Sequence, residues 1–236
     1  MKRSHTRRLW WADHRSISCL AVVCLIIGAS AVPSWLSGGD GMAYAAPETA
    51  QATESANTVT VNDNDFASLQ KALRGAKDGT KTIISLSDDY VAPEGFAHID
   101  LPAGSDVEIS VPEGSSAVLS RADGGASTSG ALLVLANKAA SKLTISGDFT
   151  YRDSTTLAYV GSGDGLAING GTYTGNANAD GGVIYAYDAT VTIDGGIFSG
   201  NKATDGSGGA IYLNGGSLSV KNATFSGNTA AKSNDA

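Results

Sequence analysis

The chain has 236 residues, 16 Lys and Arg against 23 Asp and Glu, a net charge of −7, 30 glycines and two cysteines. An acidic chain of this kind repels nucleic acid and polyanions, so nucleic acid is excluded as a partner. Abundant Gly, Ser, Thr, Asn and Asp with few aromatics fits turns and short strands better than helices.

Lys2, Arg3, Arg7, Arg8 and Arg15 precede an apolar run from Ile17 to Leu36, and Ala43-Tyr44-Ala45 supplies a small-x-small cleavage site. Residues 1–45 therefore read as a signal peptide, which predicts an extracellular or cell-surface protein that meets the membrane only through this segment before cleavage. The competing reading, a retained anchor, is weakened by Gly28, Ser30, Pro33 and Ser34 within the run. Thr6-Arg7-Arg8-Leu9-Trp10-Trp11 loosely resembles a twin-arginine signal, and the sequence does not decide between export routes. Cys19 and Cys24 both lie in the run, so the mature chain has no cysteine chemistry; it carries 11 Lys and Arg against 21 Asp and Glu, a charge of −10.

Residues 46–57 have a linker's small polar composition. Thr58 to Val61 alternates as a strand does, and Asp65 is placed to cap a short helix with Phe66, Leu69, Ala72 and Leu73 on one face, ended by Gly75 and Gly79. Strands are predicted next at Ile83 to Leu86, Ile99 to Leu101 and Val107 to Val111, separated by Pro, Gly or Asp. Residues 58–142 are expected to form the N-terminal cap and first coils, although 88–142 do not fit the register of the repeats after residue 143. Gly130-Ala131-Leu132-Leu133 resembles a degenerate form of an element found in those repeats.

From residue 143 four segments superimpose, beginning at Leu143, Leu166, Val191 and Leu218, so the starts are 23, 25 and 27 residues apart. Between them recur Gly181-Gly182-Val183-Ile184-Tyr185 and Gly208-Gly209-Ala210-Ile211-Tyr212. Units this short cannot bury an apolar side alone and must stack. The predicted fold is all-β, a right-handed parallel β-helix with a short N-terminal capping helix. Stacking at the ~4.8 Å strand spacing places Ile168, Ile193 and Val220 in one column, Tyr173, Phe198 and Phe225 in a second, and Asn176, Asn201 and Asn228 in a third. The first two columns are expected to be core and the third an amide ladder.

The Phe-Ser-Gly-Asn-x-Ala…Gly-Gly-Ala-Ile-Tyr pattern from Phe198 to Tyr212 resembles the repeats of chlamydial polymorphic outer-membrane proteins and β-helix regions of actinobacterial surface proteins. Residues 58–120 look like the entry segment of pectate-lyase-like helices. The resemblance implies a β-helix in a surface protein and says little about activity. Phe225 to Asn228 matches only the first half of a unit, so the chain is expected to be the N-terminal part of a longer protein.

A β-helix lyase needs a strong base and a hydrolase needs paired carboxylates. From residue 143 the basic residues are Arg152, Lys202, Lys221 and Lys232, none in equivalent positions of successive units, and His98 is the sole histidine after the leader. No catalytic residue is assigned. Asp180 and Asp205 precede the Gly-Gly element in successive loops and are candidate ligand-binding carboxylates, able to hold calcium if they stack. Turn chemistry is the preferred account of both, and no metal or cofactor is otherwise implied. Gly161-Ser162-Gly163-Asp164-Gly165 resembles a calcium-binding repeat but occurs once.

Tyr185 and Tyr212 are the other candidate binding residues. If Ile184 and Ile211 face the core, the tyrosines turn outward as an aromatic strip for sugar rings or a partner protein; the inward orientation remains open. The expectation is a noncatalytic module of a secreted or surface protein, adhesive or stalk-like, binding extracellular glycan or a cell-surface protein. A carbohydrate-active enzyme and a purely structural spacer are the alternatives.

Overall fold

The computed structural model describes residues 56–125, 130–136 and 138–232. The predicted signal peptide, and the linker up to residue 55, lie outside the described residues. The first described strand is Asn57–Val61, and the helix Phe66–Arg74 comes next. Asp65 caps this helix in extended conformation, its carboxylate accepting from the Ala67 N–H at 2.9 Å. Phe66, Leu69 and Leu73 are buried, and the Phe66 ring meets Phe96 edge-on at 4.9 Å. Burying such side chains contributes about 1.5–3 kcal/mol each, enough to hold a nine-residue helix that would not persist alone. It packs against Asn57–Val61, Tyr90–Ala92 and Ile99–Asp100, closing the N-terminal end of the coil.

All strand pairs between coils are parallel, and the chain forms a right-handed parallel β-helix. One inward column runs through seven rungs: Val59, Ile84, Ile109, Ile145, Ile168, Ile193 and Val220. On a second sheet Tyr90, Leu119, Tyr151, Tyr173, Phe198 and Phe225 are aligned in the same way. A third, short sheet stacks Ala177–Asn178, Lys202–Ala203 and Thr229–Ala230. Core side chains from these sheets fill the interior, and all of the largest fully buried ones lie between Leu69 and Phe198.

The described strands between residues 88 and 142 belong to this register, contrary to the sequence expectation. The column from Val59 to Val220 advances by 25, 25, 36, 23, 25 and 27 residues. The long coil spreads its excess: Ile109 to Leu119 takes ten residues where the next coil takes six, and Leu119 to Leu133 takes fourteen where the next takes seven. Two separate insertions break any fixed period. Leu133 pairs with Ala158, and Ala158 with Ile184, so Gly130 to Leu133 occupies the position of the Gly-Gly element.

Within each repeat, Gly175, Gly200 and Gly227 adopt φ of +67°, +62° and +62° and turn the chain in one residue. That turn aims the next asparagine inward.

Candidate functional site

The asparagine column is a hydrogen-bonded ladder. The Asn176 amide nitrogen donates to Asn201 Oδ1 at 3.0 Å and to the Tyr151 carbonyl at 3.1 Å. Asn201 repeats this toward Asn228 Oδ1 and the Tyr173 carbonyl, both at 2.9 Å, and Asn228 donates to the Phe198 carbonyl at 2.9 Å. Beside it the rings of Tyr173, Phe198 and Phe225 stack at 4.7 Å centroid spacing. Ile168, Ile193, Tyr173 and Phe198 are buried as core. Val220 and Phe225 depart from that expectation, at 43% and 41% exposed, because no coil beyond them covers their outer side among the described residues.

Ile184 is fully buried, which turns Tyr185 to the outside, half-buried and stacked on Tyr212 at 4.8 Å. A third member escaped the sequence reading: Tyr159 stacks on Tyr185 at 5.4 Å with ring planes 14° apart. Its segment, Leu157-Ala158-Tyr159, lacks the Gly-Gly pair that marks the later two, and only its position 26 residues before Tyr185 hinted at equivalence. Tyr187, 44% exposed, lies beside the row.

The rings lie face to face, so the flat strip anticipated for sugar stacking is not what faces solvent. Ring edges and hydroxyls do. Among the described residues none of the three hydroxyls has a protein partner, and none is sealed from solvent. The Tyr185 phenol is pushed above its ordinary value by burial first, then by the neighbouring Tyr212, Asp180, Tyr159 and Tyr187.

Next to the row is a cleft of about 280 Å³ lined by Thr156, Tyr159, Asn178, Asp180, Tyr185 and the Gly130–Ala131 backbone. Its base is held by hydrogen bonds: Asn178 Nδ2 donates to Thr156 Oγ1 at 2.9 Å, and Thr156 Oγ1 donates to the Gly181 carbonyl at 2.5 Å. Among the described residues no lysine or arginine lines it. Larger depressions, of about 630 Å³ at the Val111 to Ser116 turn and about 350 Å³ on the outer sheet face near Lys142 and Ala167, contain no aromatic ring, and one of about 370 Å³ between Ala210 and Asn228 contains only Phe225.

Asp180 Oδ1 accepts the Ser207 N–H at 2.7 Å, and Gly181 N–H bonds the Ser207 carbonyl. Asp180 is thus matched with Ser207, and Asp205 is displaced to an exposed position where it accepts from Thr204 Oγ1 at 3.4 Å. Among the described residues no group of three or more His, Cys, Asp or Glu is placed to hold a metal ion.

Two buried ionisable residues carry the scaffold rather than the cleft. Asp164 sits in a turn, its N–H bonded to the Gly161 carbonyl, and its Oδ1 accepts the Ser141 N–H at 2.8 Å while Oδ2 has no partner. Burial raises its carboxyl above the usual range, with the Ser141 hydrogen bonds opposing. Arg121, 4% exposed, donates to Thr155 Oγ1 at 3.0 Å, to the Ala97 carbonyl at 2.9 Å and to the Phe96 carbonyl. Carbonyl dipoles thus replace the water its charge has lost.

These features define a class: a right-handed parallel β-helix of seven rungs with an outward tyrosine row beside a polar, cation-free cleft. No known protein family, curated protein or solved structure matches the chain.

Proposed function

We propose that the chain is a noncatalytic module of a secreted or cell-surface bacterial protein, presenting an adhesive face for extracellular glycan or protein on a rigid stalk. The observation that carries this reading is the solvent-facing row of Tyr159, Tyr185 and Tyr212 beside the cleft. Parallel strands, paired on both sides at Tyr159 and Tyr185 and on one side at Tyr212 among the described residues, hold the row without loops, the rigidity a binding surface needs to avoid ordering costs. The leader-like residues 1–45 and the resemblance of the repeats to those of surface proteins support the location.

The enzyme alternative would rest on Asp180 and Asp205 as a carboxylate pair. Against it, one Asp180 oxygen is engaged by a backbone N–H and the two residues occupy different register positions. The purified protein should be tested on a glycan array and a panel of polysaccharides. Binding without cleavage is the expected result; cleavage products would overturn the noncatalytic reading, and silence in both would leave the spacer.

A further inference from the structure

Resting on that reading, we propose that the adhesive face selects an uncharged, hydroxyl-rich polysaccharide lying along the helix axis, gripped by the tyrosine hydroxyls rather than by ring stacking. The three rings present one hydroxyl per coil over about 10 Å, the sum of their 5.4 and 4.8 Å spacings. A phenol both donates and accepts, which suits the hydroxyls of a sugar chain, and the cleft adds the Asn178 amide and the Asp180 carboxylate at one end of the row.

Three observations set the ligand class. Ring faces in mutual contact leave no platform for a sugar ring, so recognition falls to edges and hydroxyls. Among the described residues no cation lines the cleft, and Asp180 beside Tyr185 makes the field negative, which turns away acidic polysaccharides. A peptide fits poorly: polyproline ligands need grooves between aromatic rings, and rings this close leave none. Strand addition needs a free edge: the strands bearing Tyr159 and Tyr185 are paired on both sides, and a strand added to the Tyr212 strand, which among the described residues is paired on one side only, would lie past the end of the row and not along it.

Affinity electrophoresis in native gels containing hydroxyethyl cellulose, galactomannan or polygalacturonate tests this. Tyr159→Phe, Tyr185→Phe and Tyr212→Phe keep the stacked rings and remove only the hydroxyls, and circular dichroism verifies the fold. Retardation is expected in at least one uncharged gel and not in polygalacturonate. Each single variant should weaken it about fivefold and the triple variant about a hundredfold, as expected for one hydrogen bond per hydroxyl. Undiminished binding by the triple variant, retardation in polygalacturonate alone, or none in any gel would each overturn the hydroxyl row. The noncatalytic reading fails on a different readout, new reducing or unsaturated chain ends in the same mixtures.

Discussion

Replacing Asn201 with alanine removes the middle of the amide ladder. Asn201 is fully buried and takes part in four side-chain hydrogen bonds: Nδ2 to the Tyr173 carbonyl and Asn228 Oδ1, and Oδ1 from the Asn176 N–H and amide. At about 1 kcal/mol net for each, the loss is about 4 kcal/mol, and a buried Asn176 N–H left without an acceptor adds about 1 kcal/mol or more. A change of that size is a large part of the roughly 5–15 kcal/mol that stabilises a domain. Asn228 is half-buried and water can replace part of what it provides, so Asn228→Ala should cost about 1–2 kcal/mol. Urea unfolding followed by circular dichroism measures both. In a stacked array the loss falls first on neighbouring coils, so hydrogen exchange should quicken around Tyr173 to Phe198 before it does near Ile84. A cost for Asn201→Ala below about 1 kcal/mol, or equal to that of Asn228→Ala, would refute the buried-ladder argument.

Asp164 has a folded pKa raised by burial above the ordinary value of 3.8, so the native state holds its proton more tightly than the unfolded chain. Stability should therefore fall as pH rises from 3.8 through the folded value, and Asp164→Asn should flatten that slope in urea midpoints; an unchanged slope would count against it. Glu108 behaves oppositely: burial would raise its carboxyl, but the hydrogen bond from Lys81 at 2.7 Å and that from Ser146 at 2.8 Å outweigh it and lower the value. Its contribution, present above 4.5 and lost as pH falls through the folded pKa, is about 0.5–1 kcal/mol after solvent screening, and a Glu108→Gln variant with undiminished stability at neutral pH would remove it. Arg121→Met should lower the calorimetric midpoint by an amount equivalent to about 2–4 kcal/mol, since the buried Thr155 hydroxyl and the part-buried Phe96 and Ala97 carbonyls lose their charged donor. A shift under about 1 kcal/mol would mean water satisfies them.

The stacked columns from residue 143 onward were legible because inward positions repeat with nearly constant spacing, and periodicity is a local property of the chain. The capping helix was legible for the same reason, with Asp65 and an apolar face at Phe66, Leu69 and Leu73. Register through residues 88–142 was not, because in a solenoid it is set by which strands meet across coils, and the long coil alters two connections at once. The sequence left the direction of Tyr185 and Tyr212 open, and the burial of Ile184 decided it. Tyr159 joined the row only through pairing of Ala158 with Ile184. The ring contact that turns an aromatic strip into a row of hydroxyls, like the burial of Asp164 and Arg121, depends on distances between residues 20 or more positions apart. From residue 143 onward the repeating pattern dictated what each coil would bury; only the stacking of coils decided the register before it and what the outside would offer.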